Sequence, residues 1–208
     1  MLSDSDRDRL ASLGQLASGL AHEIKNPLST MNINLQLLEE DWREARDERE
    51  VRGRRRLEIL GREVKRLEEI VNDFLRYARR RELDRRPHQV NRILGEVLDF
   101  TGPALDRAGV RVRRLFAEDL PPLAIDRDQF KQAILNLVVN AQQAMPDGGE
   151  LMVRTGTLSG EVRIEITDTG EGIPPQVLER MWDVYFSSKK TGTGMGLPTA
   201  RRLIQEHD

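Results

Sequence analysis

Seven apolar residues, Leu57, Leu60, Val64, Leu67, Val71, Phe74 and Ala78, follow one another in alternating steps of three and four. That alternation is the seam of a coiled coil. A second apolar stripe lies upstream: Leu13, Leu16, Leu20, Ile24, Pro27/Leu28, Met31, Leu35, Leu38 and Trp42 keep to one face of a helix. Between the stripes, residues 43–56 are charged and interrupted by Gly53, which reads as two solvated helix ends and a turn. One hairpin with two such long seams cannot bury both by itself. The expected solution is a homodimer through residues 10–80, built as a four-helix bundle.

Residues 80–89 are charged, lack apolar periodicity and contain Pro87, so they read as a linker. Beyond them the pattern changes. Residues 91–105 have helical spacing, and Val110, Val112 and Leu115 mark a strand. A helix over 126–145 stops at Pro146-Asp147-Gly148-Gly149. Leu151, Val153 and Thr155 alternate, as do Val162, Ile164 and Ile166, with a turn at Ser159-Gly160. A final helix covers 198–206 and has Pro198 in its first turn. The expected organisation is a helical hairpin over 1–82, a linker over 83–89 and an α/β domain over 90–208.

With 33% charged and 38% apolar residues, the chain reads as soluble, and 4% aromatic content leaves aliphatic side chains to build its cores. A formal net charge of −2, with both signs interspersed, offers no electrostatic footprint for nucleic acid. No apolar run approaches the roughly 20 residues that span a bilayer, and no signal peptide opens the chain, so a cytoplasmic location is expected. The absence of cysteine excludes disulfides, zinc–thiolate sites and a thiol nucleophile.

Candidate chemistry sits in three segments. In Ala21-His22-Glu23-Ile24-Lys25-Asn26-Pro27-Leu28, helical geometry turns His22 away from the Leu20/Ile24/Met31 stripe, toward solvent. Glu23 can orient the imidazole, Asn26 lies one turn on where it can hold a water, and Pro27 is expected to kink the helix. The zinc signature H-E-x-x-H is not met, because Asn26 stands at its fifth position. Asn136 and Asn140 share a helical face, where two amide oxygens suit Mg²⁺ completed by phosphate oxygens and water. Asp168 ends an alternating strand, placed to accept a hydrogen bond from an exocyclic amine such as that of adenine, and Gly170 and Gly172 permit close approach and a sharp turn. Gly192, Gly194 and Gly196 precede the last helix, whose amides can cradle phosphates, with Lys189 and Lys190 beside them to neutralise charge. Neither a P-loop nor a Rossmann fingerprint is present. Singly, each feature is an ordinary surface His, Asn pair, Asp-Gly turn or glycine loop. Together they point to phosphoryl transfer from a nucleotide to a side chain.

In order and placement these segments resemble the boxes of sensor histidine kinases: an H box at Ala21–Leu28, an N box at Asn136–Ala141, and glycine boxes at Asp168–Ile173 and Gly192–Leu197. Tyr185-Phe186-Ser187-Ser188-Lys189 is similar to the family's F-box region. Asn140-Ala141-Gln142-Gln143-Ala144-Met145 and Gly196-Leu197-Pro198 look most like the nitrogen-regulation-type branch. The resemblance implies an α+β chain: a dimeric four-helix-bundle hairpin followed by a Bergerat-type α/β sandwich. It implies ATP and Mg²⁺ as cofactors, His22 as phosphoacceptor, Glu23 as its orienting base and Asn26 as the residue of a phosphatase reaction. Asn136 and Asn140 would serve Mg²⁺ and phosphates, Asp168 adenine, and the glycines the pocket edge and lid. The phosphoryl group would pass to an aspartate on a response-regulator receiver domain. Rival readings are a Bergerat-type ATPase without transfer and a dimeric scaffold with a degenerate nucleotide site. The family's fold runs past a His-Gly segment into two further strands, whereas this sequence stops at His207-Asp208, so the expectation is a nucleotide domain truncated at its C-terminus that binds ATP weakly.

Overall fold

The computed structural model describes residues 24–40, 48–78, 82–189 and 192–207. The chain divides into two compact units, one of Met1–Arg81 with Lys189–Thr193 and the other of Glu82–Ser188 with Gly194–Asp208. Among the described residues no helix is long and apolar enough to cross a membrane.

The first unit is helical. Helix α1 is described over 24–40 and runs on through Pro27, and α2 spans Glu48–Ala78. The charged stretch is therefore already helix from Glu48 onward, and Gly53 does not interrupt it. Instead, Arg52 pairs with Glu48, Arg54 with Glu58 and Arg66 with Glu63 along the solvent side, the one-turn spacing that supports an exposed helix. The two helices approach at Gly61, where a Cβ would lie 3.7 Å from Glu39 Oε1. Leu28, Val64 and Leu75 are buried. Their neighbours on the two stripes are not: Met31 is 52% exposed, Leu60 52% and Leu67 49%. Among the described seam residues, these stay in contact with water in one copy.

The second unit is an α/β sandwich. Strand β1 (Arg86–His88) pairs antiparallel with β3 (Leu123–Ile125). The larger sheet has the order β2–β4–β5, with β2 (Val110–Leu115) parallel to β4 (Gly149–Leu158), and β4 antiparallel to β5 (Glu161–Asp168). Part of the expected linker is therefore a strand. Its side chains are polar because it belongs to a two-stranded ribbon, and Pro87 is tolerated there because an edge strand has donors to spare. Ser159 and Gly160, with φ of 53° and 86°, form the two-residue turn between β4 and β5.

Helices α3 (Val90–Arg107) and α4 (Arg127–Gln143) cover one face of the sheet. Ile93, Leu94, Val97 and Leu98 from α3 meet Phe130, Ile134 and Val138 from α4 over Leu151 and Val153 of β4. A short helix, α5 (Pro175–Leu178), follows β5, and α6 (Gly196–Glu206) packs Ala200 and Leu203 on Ala133 and Leu137 of α4. A closed polar cycle pins α3 to the sheet. Asn91 Nδ2 donates to Ala117 O at 2.7 Å, Ala117 N to Thr155 Oγ1 at 3.0 Å, and Thr155 Oγ1 to Asn91 Oδ1 at 2.9 Å. Replacing Thr155 with Val keeps its shape but strands the Ala117 amide and the Asn91 oxygen. Thr155→Val is expected to lower unfolding free energy by about 1–3 kcal/mol, read as a lower urea midpoint at unchanged slope.

Candidate functional site

Helix α4 starts where Asp126 caps it. The carboxylate accepts from the amides of Asp128 (3.1 Å) and Gln129 (3.0 Å), two of the donors that every helix start leaves unmet. The amide of Asp84 (3.2 Å) and Gln129 Nε2 (3.3 Å) complete its shell. Burial pushes the Asp126 carboxyl up, but these hydrogen bonds outweigh it and hold the group below the usual carboxylate range. The spacing Asp126-x-x-Gln129 before an apolar run signals such a cap in the sequence.

Three positions one turn apart on α4 and just beyond it, Asn136, Asn140 and Ala144, organise the rest. Asn136 Nδ2 donates to Gly196 O at 3.2 Å, and its Oδ1 accepts from Gln132 Nε2 at 3.0 Å. Asn136 thereby ties the second glycine segment to α4, a role that the amide pattern alone does not indicate. Ala144 O accepts from Glu171 N at 3.1 Å and holds the first glycine loop. Half-buried Asn140 stands between the two attachments.

The glycines fit these attachments. A Cβ on Gly170 would fall 2.4 Å from Ala144 O and 2.8 Å from Ala144 Cβ, so only glycine lets the loop seat on the helix end. Asp168 closes β5, and its Oδ1 accepts from Gly170 N at 2.9 Å, which fixes the carboxylate's orientation while it stays exposed. Gly194 has φ of +69°, and a Cβ there would meet Tyr185 C at 2.5 Å and Phe186 N at 2.7 Å. Tyr185 itself has a φ of 68° and donates its amide to Gly194 O at 3.2 Å. Arg180 stacks 4.3 Å over the Phe186 ring, and Arg201 of α6 lies 5.1 Å over Trp182. The F-box-like segment is thus laced to the second glycine segment by backbone contact, which motif spacing alone does not reveal.

Of the remaining expected site residues, His22, Glu23 and Lys190 lie outside the described residues. Asn26 is exposed on α1, and its carbonyl accepts from Thr30 Oγ1 at 3.0 Å. Lys189 O accepts from Gly192 N at 3.3 Å. Gly172 takes φ of +73° with open space around it, and nothing lies within 4 Å of a Cβ built on Gly196. Among the described residues no group of three or more His, Cys, Asp or Glu side chains is arranged to hold a metal ion.

Comparison with known proteins agrees with this layout. Residues 12–83 match the His Kinase A (phospho-acceptor) domain, and residues 125–208 match the Histidine kinase-, DNA gyrase B-, and HSP90-like ATPase domain. The two matched segments, in this order, are those of a histidine kinase catalytic core, a phosphoacceptor hairpin followed by an ATPase-type sandwich. Sporulation kinase E of Bacillus subtilis is 30% identical over 203 residues, covering 96% of this chain and 26% of that protein. Sporulation kinase C of the same organism is 28% identical over 204 residues, 98% of this chain and 46% of that protein. Sensor histidine kinase ZraS of Escherichia coli (strain K12) is 28% identical over 201 residues, 97% of this chain and 42% of the relative. The chain thus spans less than half the length of these relatives. They do not single out the nitrogen-regulation-type branch. Among solved structures, full-length ShkA in complex with AMPPNP superposes with a TM-score of 0.69 at 24% identity, over 91% of this chain and 40% of that one. Histidine kinase ThkA in complex with the response regulator protein TrrA gives 0.66 at 24% identity, over 97% of this chain and 57% of that one. At that identity both show the shared fold.

Two predictions follow from the loop seats and the cap. Gly170→Ala is expected to lower Tm and weaken nucleotide binding, because the clash is with helix backbone, whereas Gly196→Ala should stay within about 1 kcal/mol of the parent. Calorimetric titration and thermal melts of both variants check this contrast. The depressed Asp126 carboxyl adds stability that is present above the unfolded-state pKa, about 3.9, and lost as pH falls through the lower folded-state value. Asp126→Asn should therefore flatten the acid limb of the stability–pH curve and destabilise near neutrality by about 1–3 kcal/mol, because Oδ1 still caps the helix but the Asp84 amide and Gln129 Nε2 lose their acceptor, both read by urea melts between pH 2 and pH 7.

Proposed function

We propose that this chain is the core of an ATP-dependent protein histidine kinase that phosphorylates His22 and passes the phosphoryl group to an aspartate of a response-regulator receiver domain. The observation that carries the reading is the placement of Asn140 between two glycine segments, one seated on Ala144 O and carrying Asp168, the other held by Asn136 through Gly196 O. Asp168 presents its carboxylate to the adenine amine. Backbone amides at Gly192, Gly194 and Gly196, with Lys189 and Lys190, meet the phosphates. Asn140, with Asn136 beside it, holds Mg²⁺, which neutralises phosphate charge when bound. Asn136 serves chiefly by keeping Gly196 in place, since both ends of its amide are already hydrogen-bonded.

In the transfer, an imidazole nitrogen of His22 forms a bond to the γ-phosphorus as the bond to the bridging oxygen breaks, and ADP leaves. Glu23 accepts a hydrogen bond from the other ring nitrogen and stabilises the charge that develops there. Catalysis of this kind rests on alignment and charge stabilisation. Asn26, exposed one turn beyond His22, orients water for dephosphorylating the regulator. The phosphoacceptor hairpin is taken as residues 1–82 and the nucleotide domain as 90–208, and the segment 83–89 between them contributes β1, which pairs with β3. The half-exposed seam residues Met31, Leu60 and Leu67 support a homodimer, since each buried Leu contributes about 1.5–3 kcal/mol. A cytoplasmic location accords with ATP as phosphoryl donor.

Labelling with γ-³²P ATP tests the central reading. The chain should acquire acid-labile, base-stable label that is lost in His22→Gln. Undiminished labelling of that variant overturns the assignment, and ATP turnover without label favours a plain ATPase. Asn26→Ala should keep His22 labelling while reducing dephosphorylation of a phosphorylated receiver domain by tenfold or more, on the order of a lost water-positioning group. Sedimentation equilibrium at micromolar concentration should return a dimer.

A further inference from the structure

Helix α6 is fastened to α4 at both ends. At its start Asn136 Nδ2 bonds to Gly196 O at 3.2 Å. At its finish His207 bridges two elements. Its Nδ1 bonds to Leu203 O at 2.6 Å, and its Nε2 accepts from Asp126 N at 3.0 Å. The imidazole also stands edge-on to Phe130, 6.2 Å between ring centres. Asp126 is the cap of α4, and the same carboxylate takes the amide of Asp84. Next to it, Arg85 Nη2 donates to Glu206 O, the last residue of α6. The first residues of the nucleotide unit, the start of α4 and the end of α6 therefore meet in one polar joint.

The contact between these end fastenings is smooth. Ala133 lies against Ala200, with Leu203 and Leu137 beside them. Small side chains offer shallow ridges and grooves, so packing alone resists sliding along the axis weakly. A helix of 11 residues moves as a rigid rod about 16 Å long. Its position along α4 is then set by the bonds at its ends together with the Leu203 contact. A displacement at Glu206–His207 reaches Gly196, and with it the Gly194 turn against Tyr185.

We propose that His207 and Arg85 are positioning residues for the nucleotide site. Through α6, they set where the Gly194–Gly196 segment presents its amides, and they make that setting depend on residues 84–85, where the chain enters the nucleotide unit. The inference rests on the nucleotide reading of Gly194–Gly196 given above. Asp126 is the common anchor, since its amide holds His207 and its carboxylate holds Asp84.

The test uses the whole chain and three variants. His207→Phe keeps a ring against Phe130 but removes both nitrogens. His207→Gln retains an acceptor able to reach the Asp126 amide. Arg85→Ala removes an exposed side chain at the surface end of the joint. Hydrogen–deuterium exchange without nucleotide should rise several-fold at amides 194–200 in His207→Phe and Arg85→Ala, with β4–β5 amides still protected, and return toward the parent in His207→Gln. The dissociation constant for ATP with Mg²⁺ should rise about three- to tenfold in the first two variants, the scale of one lost hydrogen bond. Unchanged exchange at 194–200 in both of them overturns the proposal. If His207→Phe also loses β4–β5 protection, Arg85→Ala decides the matter alone. Exchange is read without nucleotide, so failure of the unaltered chain to bind ATP counts against the nucleotide reading and not against the joint.

Discussion

The Ala144 carbonyl and the Asn136 amide lie eight residues apart along α4 and its C-terminal end, and each holds one glycine segment. The placement of both glycine loops depends on that pair of attachments. Gly170, seated on the helix end, orients Asp168 through its amide, and Asn136 holds Gly196 by its carbonyl. The helix can serve as this reference because its opposite face is locked. Phe130, Ile134, Val138 and Ala141 are buried in the main core, and Ala133 takes α6. A buried apolar face supplies stiffness, and one exposed polar face uses it, which is the arrangement that a preorganised phosphate site needs.

Polar joints then refine what apolar burial leaves loose. The Asn91–Thr155–Ala117 cycle fixes α3 on the sheet, and the Asp126–His207–Asp84 joint fixes α4 to α6 and to the chain's point of entry. Each joins elements distant in sequence, and the first is a closed cycle in which every named group is paired. In the helical unit the opposite holds: apolar surface is incompletely covered in one copy. Burial of Leu28, Val64 and Leu75 holds the helices of one copy, and the half-exposed Met31, Leu60 and Leu67 are surface that the proposed homodimer would cover.

Much of this was legible in the residues. Steps of three and four predicted α2, two-residue alternation predicted β4 and β5, and Ser159-Gly160 marked the turn between them, because helix and strand periods are local consequences of backbone geometry. The strand at Arg86–His88 was not legible, nor was its partner at Leu123–Ile125. A three-residue edge strand with one proline carries no period to read, and it exists only because the two segments meet. Gly53 misled for a related reason: a glycine in a long helix lowers local propensity by about 1 kcal/mol, less than side-chain pairing and helix packing restore.

The sequence by itself determined which chemistry is available: an imidazole beside a carboxylate, two amides on one helical face, an aspartate at a strand end and glycines where loops must turn. These follow from residue type and short spacing. Only the tertiary structure decided how those groups relate. It turned Asn136 from a simple partner of Asn140 into the tether of Gly196, made Gly170 obligatory through the Ala144 carbonyl, and set His207 against the cap of α4. Contacts between residues 26 to 81 positions apart leave no periodic trace in a chain. They arise when apolar faces are buried together and bring distant polar groups within hydrogen-bonding reach.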